Sequence, residues 1–562
     1  MGCITPPLRS LLFFNGKITT LDAKNPEVSA MAIDRGRILA TGTDQEIQNQ
    51  FPHFTIIDLQ QKRVIPGFIE AHAHFLGIGY AKLNLNLGNT KSEAEIIQQV
   101  SAQSKLLAKG EWLKGRGWDQ NDWPRQDFPT HQGLSAAVPH HPVILTRIDG
   151  HAIWCNQAAM DIAQIHLQKN DPDGGKIERD HEGNPTGIFI DNAIDLISRH
   201  APKAGVAQDT RAAQIAAQEA LQLGITSLHD AGSGQQVIEV IETLRQKNTP
   251  MPRLYIMLNG EDKNLLAAYY ATGPQIDDRV SIRSVKFYAD GALGSRGAAL
   301  LAPYSDDPAN QGLLLLTEEQ LSRSTTRALQ HGFQVATHAI GDKANRLVLD
   351  AYEDALQKIQ PQTSPRLRIE HAQIVHPIDV KRFKELGIIA SVQPTHCTSD
   401  MAWVPARLGK TRSQNQAYVW RTFLNNQVLL AAGSDAPIES LNPFYGLYAA
   451  ITRTDHEGLP QSGFYAEQTL TLNEALTAFT VGGAYAEFQE HQKGHLSPGA
   501  LADFIVLSKD IFVIEAKEIL STNVEMTVID GEIVWDSSLA QRRPFRFAKR
   551  SSAKVIRIIN AP

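Results

Sequence analysis

The chain has 562 residues, which exceeds one ordinary domain and predicts a large enzyme-sized domain with one or two smaller ones. Hydrophobic residues make up 42% and charged residues 20%, a globular composition that excludes a disordered chain or a fibre. The net charge of −6 supplies no basic field for nucleic acid or an anionic membrane, so neither is expected as a partner.

Cysteine usage and the first residues of the chain indicate in which cellular compartment the protein is expected. Cys3, Cys155 and Cys397 are widely spaced and form neither a disulfide framework nor a CxxC motif. The first residues lack the apolar core of a signal peptide, and no apolar run reaches the ~18 residues that a membrane span needs. We therefore expect a cytoplasmic protein that acts on a small molecule, with a homodimer as an open possibility.

Short β-rich segments alternate with turns near the start of the chain, between residues 11 and 57. The pairs Asn15-Gly16 and Arg35-Gly36 are hairpin signals, and they predict a small antiparallel sheet. This sheet is too small to stand alone, so it needs a partner from elsewhere in the chain.

The far end of the chain repeats this pattern, with β-rich runs at 501–510 and 525–536 and a turn at Asp530-Gly531. Because chain ends often lie close together, the two ends predict one small β-sandwich, built from residues 1–63 and 495–562. Its last part includes a basic segment at 545–558, which we expect to be a surface tail.

Between these ends, strand-like runs alternate with amphipathic helical stretches, which is typical of a parallel α/β fold. Eight runs are predicted as strands: 64–71, 224–232, 253–260, 284–292, 333–342, 367–375, 388–396 and 428–437. Eight is the number that closes a (β/α)8 TIM barrel, here over residues 64–494. In that fold the active site lies at the carboxyl ends of the strands.

Roughly 150 residues separate the first two predicted strands, far more than one βα unit needs. The excess predicts a domain inserted after strand one, at about 80–222, beside the barrel mouth. There it would act as a lid and substrate filter. An aromatic cluster in it fits either an apolar pocket or core packing, and we favour core packing for Trp112, Trp118, Trp123 and Trp154.

The first barrel strand ends in His72 and His74, one residue apart. Alternate side chains of an extended strand point to one face, so both imidazoles can reach one metal ion. An isolated His-x-His is common, but His338, His371 and Asp435 stand at the ends of three later strands. Together these five residues can hold one or two divalent ions and leave a position for water, as catalytic sites require.

Lys286 lies on the fourth predicted strand, where an unpaired charge facing the mouth is costly. Its carboxylated form would be an anion able to bridge two metals ~3.5–4 Å apart. The alternative is an ion pair with Asp290, which has the same strand parity. The sequence leaves both possibilities open.

Six motifs resemble those of the metal-dependent amidohydrolase superfamily: PGFIEAHAHF, VKFYADGALGSR, THAIGD, RIEHAQ, GSDAPIESLNPF and PGALADFIVL. Within it, the chain is similar to amidohydrolase family 3, the branch of YtcJ-like proteins and N-substituted formamide deformylases, from about Asn15 to Trp535. The resemblance implies zinc or another divalent metal. It also implies the ligands: His72 and His74 for the first ion, His338 and His371 for the second, carboxylated Lys286 as the bridge, and Asp435 in the first site as general base.

These features predict a metal-dependent hydrolase that cleaves an amide, N-formyl or N-acyl C–N bond of a small molecule, other than a peptide bond. A metal-activated hydroxide would attack, with Asp435 as general base. Two alternatives stay open: an isomerase or deaminase on the same metal cage, or a non-catalytic regulatory or binding protein that retains the barrel. Predicted substrate contacts are His151, Arg296 and Trp118, although a structural hydrogen bond explains the first two equally well.

Overall fold

The computed structural model describes residues 10–202 and 205–540. Cys3 and the basic segment at 545–558 lie outside these described residues. No helix in the described part of the chain is long and apolar enough to cross a membrane.

The strands of the described residues are β1 Leu11–Phe14, β2 Lys17–Thr19, β3 Glu27–Val28, β4 Ala30–Asp34, β5 Arg37–Gly42, β6 Thr55–Asp58, β7 Arg63–Pro66, β8 Phe68–Ala73, β9 Leu85–Asn86, β10 Leu113–Trp118, β11 Val143–Arg147, β12 Ala152–Cys155, β13 Gly175–Arg179, β14 Pro185–Asp191, β15 Ile225–Ser233, β16 Arg253–Asn259, β17 Val280–Tyr288, β18 Gln334–Ala339, β19 Arg368–His371, β20 Ile389–Val392, β21 Leu430–Ala432, β22 Phe504–Leu507, β23 Val524–Ile529 and β24 Glu532–Asp536.

The α-helices of the same residues are α1 Asp44–Gln50, α2 Phe75–Leu83, α3 Glu93–Ser104, α4 His131–Ala137, α5 Gln157–Ile162, α6 Asp195–Ser198, α7 Val206–Gln222, α8 Gln235–Gln246, α9 Lys263–Thr272, α10 Glu318–Gln330, α11 Asp342–Ile359, α12 Val380–Glu385, α13 Pro394–Asp400, α14 Val404–Leu408, α15 Lys410–Gln416, α16 Trp420–Asn425, α17 Pro443–Thr452, α18 Leu472–Thr477, α19 Gly483–Ala486 and α20 Ser537–Ala540.

The central sheet has eight strands in the order β8, β15, β16, β17, β18, β19, β20 and β21, and every neighbouring pair is parallel. Each of the eight predicted runs overlaps one of these strands. The two outer strands meet at their carboxyl ends, because Asp435 N donates to His72 O at 2.8 Å and His74 N donates to Ala436 O at 2.8 Å. The predicted (β/α)8 barrel is confirmed.

The β domain consists of a four-stranded sheet (β5-β4-β1-β6) and a six-stranded sheet (β24-β23-β22-β7-β2-β3). Residues from both chain ends share its core, where the Phe13 and Phe504 rings pack edge to face with centroids 5.0 Å apart. The predicted sandwich from both termini is confirmed. Apolar side chains from both chain ends form one buried cluster between the sheets, and their burial stabilises the sandwich.

Two of the three predicted hairpins are present, the turn at Arg35-Gly36 between β4 and β5 and the turn at Asp530-Gly531 between β23 and β24. The prediction of a hairpin at Asn15-Gly16 was wrong. Asn15 has the positive φ of such a turn, 55°, but β1 pairs with β4 and β6 while β2 pairs with β3 and β7. The chain crosses here from one sheet of the sandwich to the other.

The run predicted as one strand at 64–71 is two strands in the structure. β7 pairs with β22 in the sandwich, with Ile65 opposite Ile505, and the barrel strand β8 begins at Phe68. Gly67 separates them, and a Cβ at this position would lie 2.2 Å from the Thr226 side chain. Only glycine therefore fits where the chain passes from the sandwich into the barrel.

The insertion after β8 contains a six-stranded sheet in the order β13-β14-β12-β11-β10-β9. Trp118 and Trp154 are fully buried in its core with ring centroids 6.1 Å apart, and Trp123 packs beside Trp118. Trp112 is only partly buried and packs against a neighbouring cluster. The chain then returns to the barrel through α7, which packs against α2.

Gly79→Ala is expected to destabilise the fold, because the added Cβ would lie 1.9 Å from the backbone oxygen of Ala212 where α2 meets α7. Overpacking of this kind typically costs about 1–3 kcal/mol. Elsewhere in a helix, replacing glycine by alanine stabilises the protein by roughly 0.5–1 kcal/mol. A loss of stability would therefore be due to the close contact with Ala212. A lowered urea midpoint is expected, and an unchanged or raised midpoint would contradict the packing.

Candidate metal centre and active-site cavity

His72, His74 and Asp435 form a first cluster at the carboxyl ends of β8 and β21, with ligand atoms all within 4.8 Å of one another. His74 Nε2 lies 3.1 Å and His72 Nε2 3.6 Å from Asp435 Oδ1. The backbone hydrogen bonds between the two strands place the three side chains together. The sequence predicted these three residues at one site, and the structure brings them together.

A hydrogen bond on the far side of each ring decides which nitrogen faces the cluster. His74 Nδ1 lies 3.0 Å from the backbone oxygen of Ala231, which only accepts, so Nδ1 carries the proton. His72 Nδ1 meets the Glu370 carboxylate in the same way. Both Nε2 atoms therefore present a lone pair to the cluster. Within the described residues, His72 Nε2 and Asp435 Oδ1 are buried without a hydrogen-bond partner, and a bound cation would satisfy both.

The charges of this cluster suit a cation. Burial and the nearby Lys286 ammonium lower the pKa of His72 to about 4, so its imidazole is neutral at pH 7. Burial opposes ionisation of Asp435, but His74 and His72 outweigh it and hold the pKa of Asp435 well below its usual range. Neutral imidazole nitrogen and an anionic oxygen are ligands that zinc accepts.

His338 and His371 stand at the ends of two neighbouring strands, β18 and β19, with ring centroids 4.6 Å apart. His371 Nδ1 lies 2.7 Å from Gln393 Oε1, which leaves its Nε2 free. His338 Nε2 lies 3.4 Å from Asp290 Oδ1, so its Nδ1 is the nitrogen left for a ligand. Burial lowers the pKa of both histidines, which keeps both rings neutral.

Lys286 lines the same cavity but does not pair with Asp290. The Asp290 carboxylate instead accepts hydrogen bonds at 2.8–3.0 Å from three backbone N–H groups, those of Ala299, Ile340 and Gly341. Lys286 Nζ lies 4.4 Å from the centroid of the Tyr288 ring. Burial lowers the pKa of Lys286 to about 8. The ion-pair alternative is therefore absent, and a neutral amine, the form that reacts with carbon dioxide, becomes accessible near neutral pH.

Sequence reasoning did not assign a role to Glu370 or Arg368, which support the first cluster. Arg368 donates to both Glu370 oxygens, at 2.7 and 3.0 Å, and all three side chains of the Arg368–Glu370–His72 series are fully buried. Burial opposes ionisation of Glu370, but Arg368 and His72 lower the pKa of Glu370 below its usual range. A carboxylate held on the outer nitrogen of a ligand histidine orients the ring and raises its basicity.

The clusters face one cavity of about 330 Å³. The insertion supplies part of its wall, namely Asn89, Asp119, Asp122, Arg147, Ile148, Asp149 and His151. Arg147 is fully paired there, since it donates to Gln120 and to the carboxylates of Asp119 and Asp149. The insertion thus lies beside the mouth, where the length of the first βα connection had predicted it.

Of the three predicted substrate contacts, only His151 lines the cavity, with its ring centroid 5.1 Å from that of His338. Burial opposes its protonation, but Asp191, 2.7 Å from His151 Nδ1, outweighs it and raises the pKa of His151 to about 9. Trp118 is instead in the core of the inserted sheet, where Nε1 donates to Leu145 O at 2.8 Å. Arg296 pairs with an aspartate outside the cavity lining, Asp306.

A closed parallel barrel that gathers histidines and an aspartate at the carboxyl ends of its strands is the arrangement of an amidohydrolase-type hydrolase. The profile of the Amidohydrolase family matches residues 55–535, and the chain belongs to this family. The resemblance read from the sequence motifs is confirmed.

Named relatives agree over almost the whole chain. The chain is 32% identical over 535 residues to "Putative amidohydrolase YtcJ" of Bacillus subtilis (strain 168), covering 94% of this chain and 99% of the relative. It is 25% identical over 543 residues to the N-substituted formamide deformylase of Arthrobacter pascens, with the same two coverages. The crystal structure of an uncharacterized metal-dependent hydrolase from Pyrococcus horikoshii OT3 superimposes with a TM-score of 0.73 at 27% identity, covering 90% of this chain and 99% of that one.

Proposed function

We propose that this protein is a metal-dependent hydrolase that cleaves a C–N bond other than a peptide bond in a small N-formyl or N-acyl amine. The observation that carries the proposal is the pair of buried, unpartnered ligand atoms, His72 Nε2 and Asp435 Oδ1, which face each other across 3.6 Å. Similarity to an N-substituted formamide deformylase supports the type of bond. The cavity of about 330 Å³ suits a small molecule.

The residues that would hold the ions are those at the strand ends. His72, His74 and Asp435 would bind the first divalent ion, and His338 and His371 with a carboxylated Lys286 would bind a second. Zinc fits this nitrogen and oxygen donor set. When bound, such an ion polarises a carbonyl oxygen and lowers the pKa of water from ~15.7 to ~7.

The chain's own groups move the proton and orient the substrate. Asp435 accepts a proton from the attacking water and passes it to the leaving nitrogen, so the products are a carboxylic acid and an amine. His74 Nε2 lies 3.1 Å from Asp435 Oδ1, close enough for both atoms to bind the same ion. His151, protonated and held by Asp191, donates a hydrogen bond to the substrate from the opposite wall of the cavity.

The test is metal analysis of the purified protein followed by a panel of N-formyl and N-acyl amines. We expect at least one divalent ion per chain, loss of turnover on chelation, restoration by zinc, and release of an acid and an amine. Ammonia release from an amino-heterocycle panel instead would favour the deaminase alternative, and product of unchanged mass would favour an isomerase. A protein without divalent metal and without turnover would support the non-catalytic alternative. A cytoplasmic location and a homodimer stay predictions from the sequence.

His151→Gln is expected to lower kcat/KM by about 10–100-fold through a raised KM, because a charged hydrogen bond is typically worth ~1.5–3 kcal/mol. The metal content should not change. Arg296→Gln is the matched control, because it removes a charged donor that lies outside the cavity lining and should leave kcat/KM within a few-fold. Equal kinetics for the wild type and His151→Gln on every accepted substrate would assign His151 to structure.

A further inference from the structure

His396 belongs to neither of the two ion positions described above, yet its side chain lies at the same centre. It lies in the first turn of α13, directly after β20, and it lines the cavity. Its ring stacks on His371 with centroids 5.9 Å apart and an interplanar angle of 16°. Its Nε2 is buried and has no hydrogen-bond partner among the described residues. A buried polar atom in this state indicates a missing partner.

The groups around His396 Nε2 suit a cation as this missing partner. Asp435 is the one carboxylate of the described residues within 4.0 Å, and its Oδ2 lies 3.8 Å away, too far for a hydrogen bond. Zinc binds nitrogen at ~2.0–2.1 Å and carboxylate oxygen at ~2.0–2.2 Å, so an ion fits between these two atoms. His371, His396 and Asp435 each offer a ligand atom, and these atoms lie within 4.8 Å of one another.

The two oxygens of Asp435 face different groups. Oδ1 lies 3.1 Å from His74 Nε2 and 3.6 Å from His72 Nε2, whereas Oδ2 faces His396. A carboxylate whose two oxygens face different groups can bridge two ions, which in two-metal sites stand ~3.5–4 Å apart.

We propose that His396 is a metal ligand that forms, with His371 and Asp435 Oδ2, an ion position adjacent to the first one. The proposal rests on the proposed function for the first ion and deepens it. His371 is shared with the position that includes Lys286 and His338, so one ion occupies either arrangement but not both. The His396 position needs no carboxylated lysine, and it therefore binds an ion when Lys286 is a plain amine.

The test first replaces Lys286, so that no carboxylated lysine can bind an ion. Lys286→Gln, saturated with zinc and freed of excess metal, is expected to hold two ions per chain by elemental analysis. Lys286→Gln combined with His396→Gln is expected to hold one. The matched control combines Lys286→Gln with His456→Gln, which removes a histidine from the adjoining cavity and should keep two ions. In crystals of zinc-loaded Lys286→Gln, an anomalous peak is expected within ~2.3 Å of both His396 Nε2 and Asp435 Oδ2.

A single ion in Lys286→Gln would overturn the proposal, as would two ions retained when Lys286→Gln is combined with His396→Gln, or a second anomalous peak away from His396. The diffraction experiment decides the case even where the double variant fails to fold. The first ion reports separately on the proposed function. One ion on His72, His74 and Asp435 with none on His396 removes this inference alone, whereas no divalent ion in the wild type removes the proposed function.

Discussion

Asp435→Asn is expected to lower kcat by about 10²–10⁴-fold, the usual contribution of a positioned general base. The amide keeps the shape of the side chain and one oxygen for a metal, but it cannot accept the proton. Asp435 N donates to His72 O and the side chain is buried, so the local structure should hold. Turnover should therefore collapse while substrate binding and much of the metal remain.

The measurement is steady-state kinetics on an amide identified in the substrate panel, together with metal content for the same preparation. Asp122→Asn is the control, because that carboxylate lines the same cavity but is exposed and outside the histidine cluster. It should leave kcat within a few-fold. A metal-loaded Asp435→Asn variant with near wild-type kcat would show that another group takes the proton.

His72→Ala is expected to abolish binding of the first ion and, with it, turnover, while the barrel stays folded. Three residues would hold that ion, and the substitution removes the most deeply buried of them, whose Nε2 has no hydrogen-bond partner among the described residues. Glu370 keeps its ion pair with Arg368, so no new buried charge is left unpaired. Elemental analysis and circular dichroism on one sample separate loss of metal from loss of fold.

Glu370→Gln provides the graded comparison for His72→Ala. It keeps the ligand but weakens the support on His72 Nδ1, and loss of such a partner typically lowers metal affinity ~10–100-fold. Affinity for the first ion should thus fall in the order wild type, Glu370→Gln, His72→Ala. Full metal content in His72→Ala would remove His72 from the site.

Much of the fold could be predicted from the sequence because buried parallel strands are continuous apolar runs. Seven barrel strands after the first were found this way, and the spacing of His72 and His74 predicted side chains on one face. The start of the first barrel strand was predicted wrongly, because an apolar run does not indicate which sheet its residues join. Gly67 divides it, and the partner of its first half is β22, far along the chain.

The site was predicted less completely, because strand parity fails at strand ends. Glu370 and His371 are adjacent and should point to opposite faces of a regular strand, yet both serve the same centre. Positive φ values of 74° at His371 and 61° at Asp435 redirect these side chains, and no sequence pattern predicts them. His396 was visible as a polar residue at a predicted strand end. Trp118 and Arg296 were named as candidate substrate contacts, but packing places both side chains outside the cavity lining.

The β-sandwich contains strands from both ends of the chain, so it cannot be completed until late in synthesis on the ribosome. Strand β7 cannot gain its neighbour β22 until about 440 more residues have been translated, as the Ile65–Ile505 pairing requires. At ~5–20 residues per second, this leaves an unpaired strand edge for roughly 20–90 s. Such an edge is open to pairing with another nascent chain. Protection by a chaperone during translation should accordingly raise the yield of active protein more than assistance offered after release.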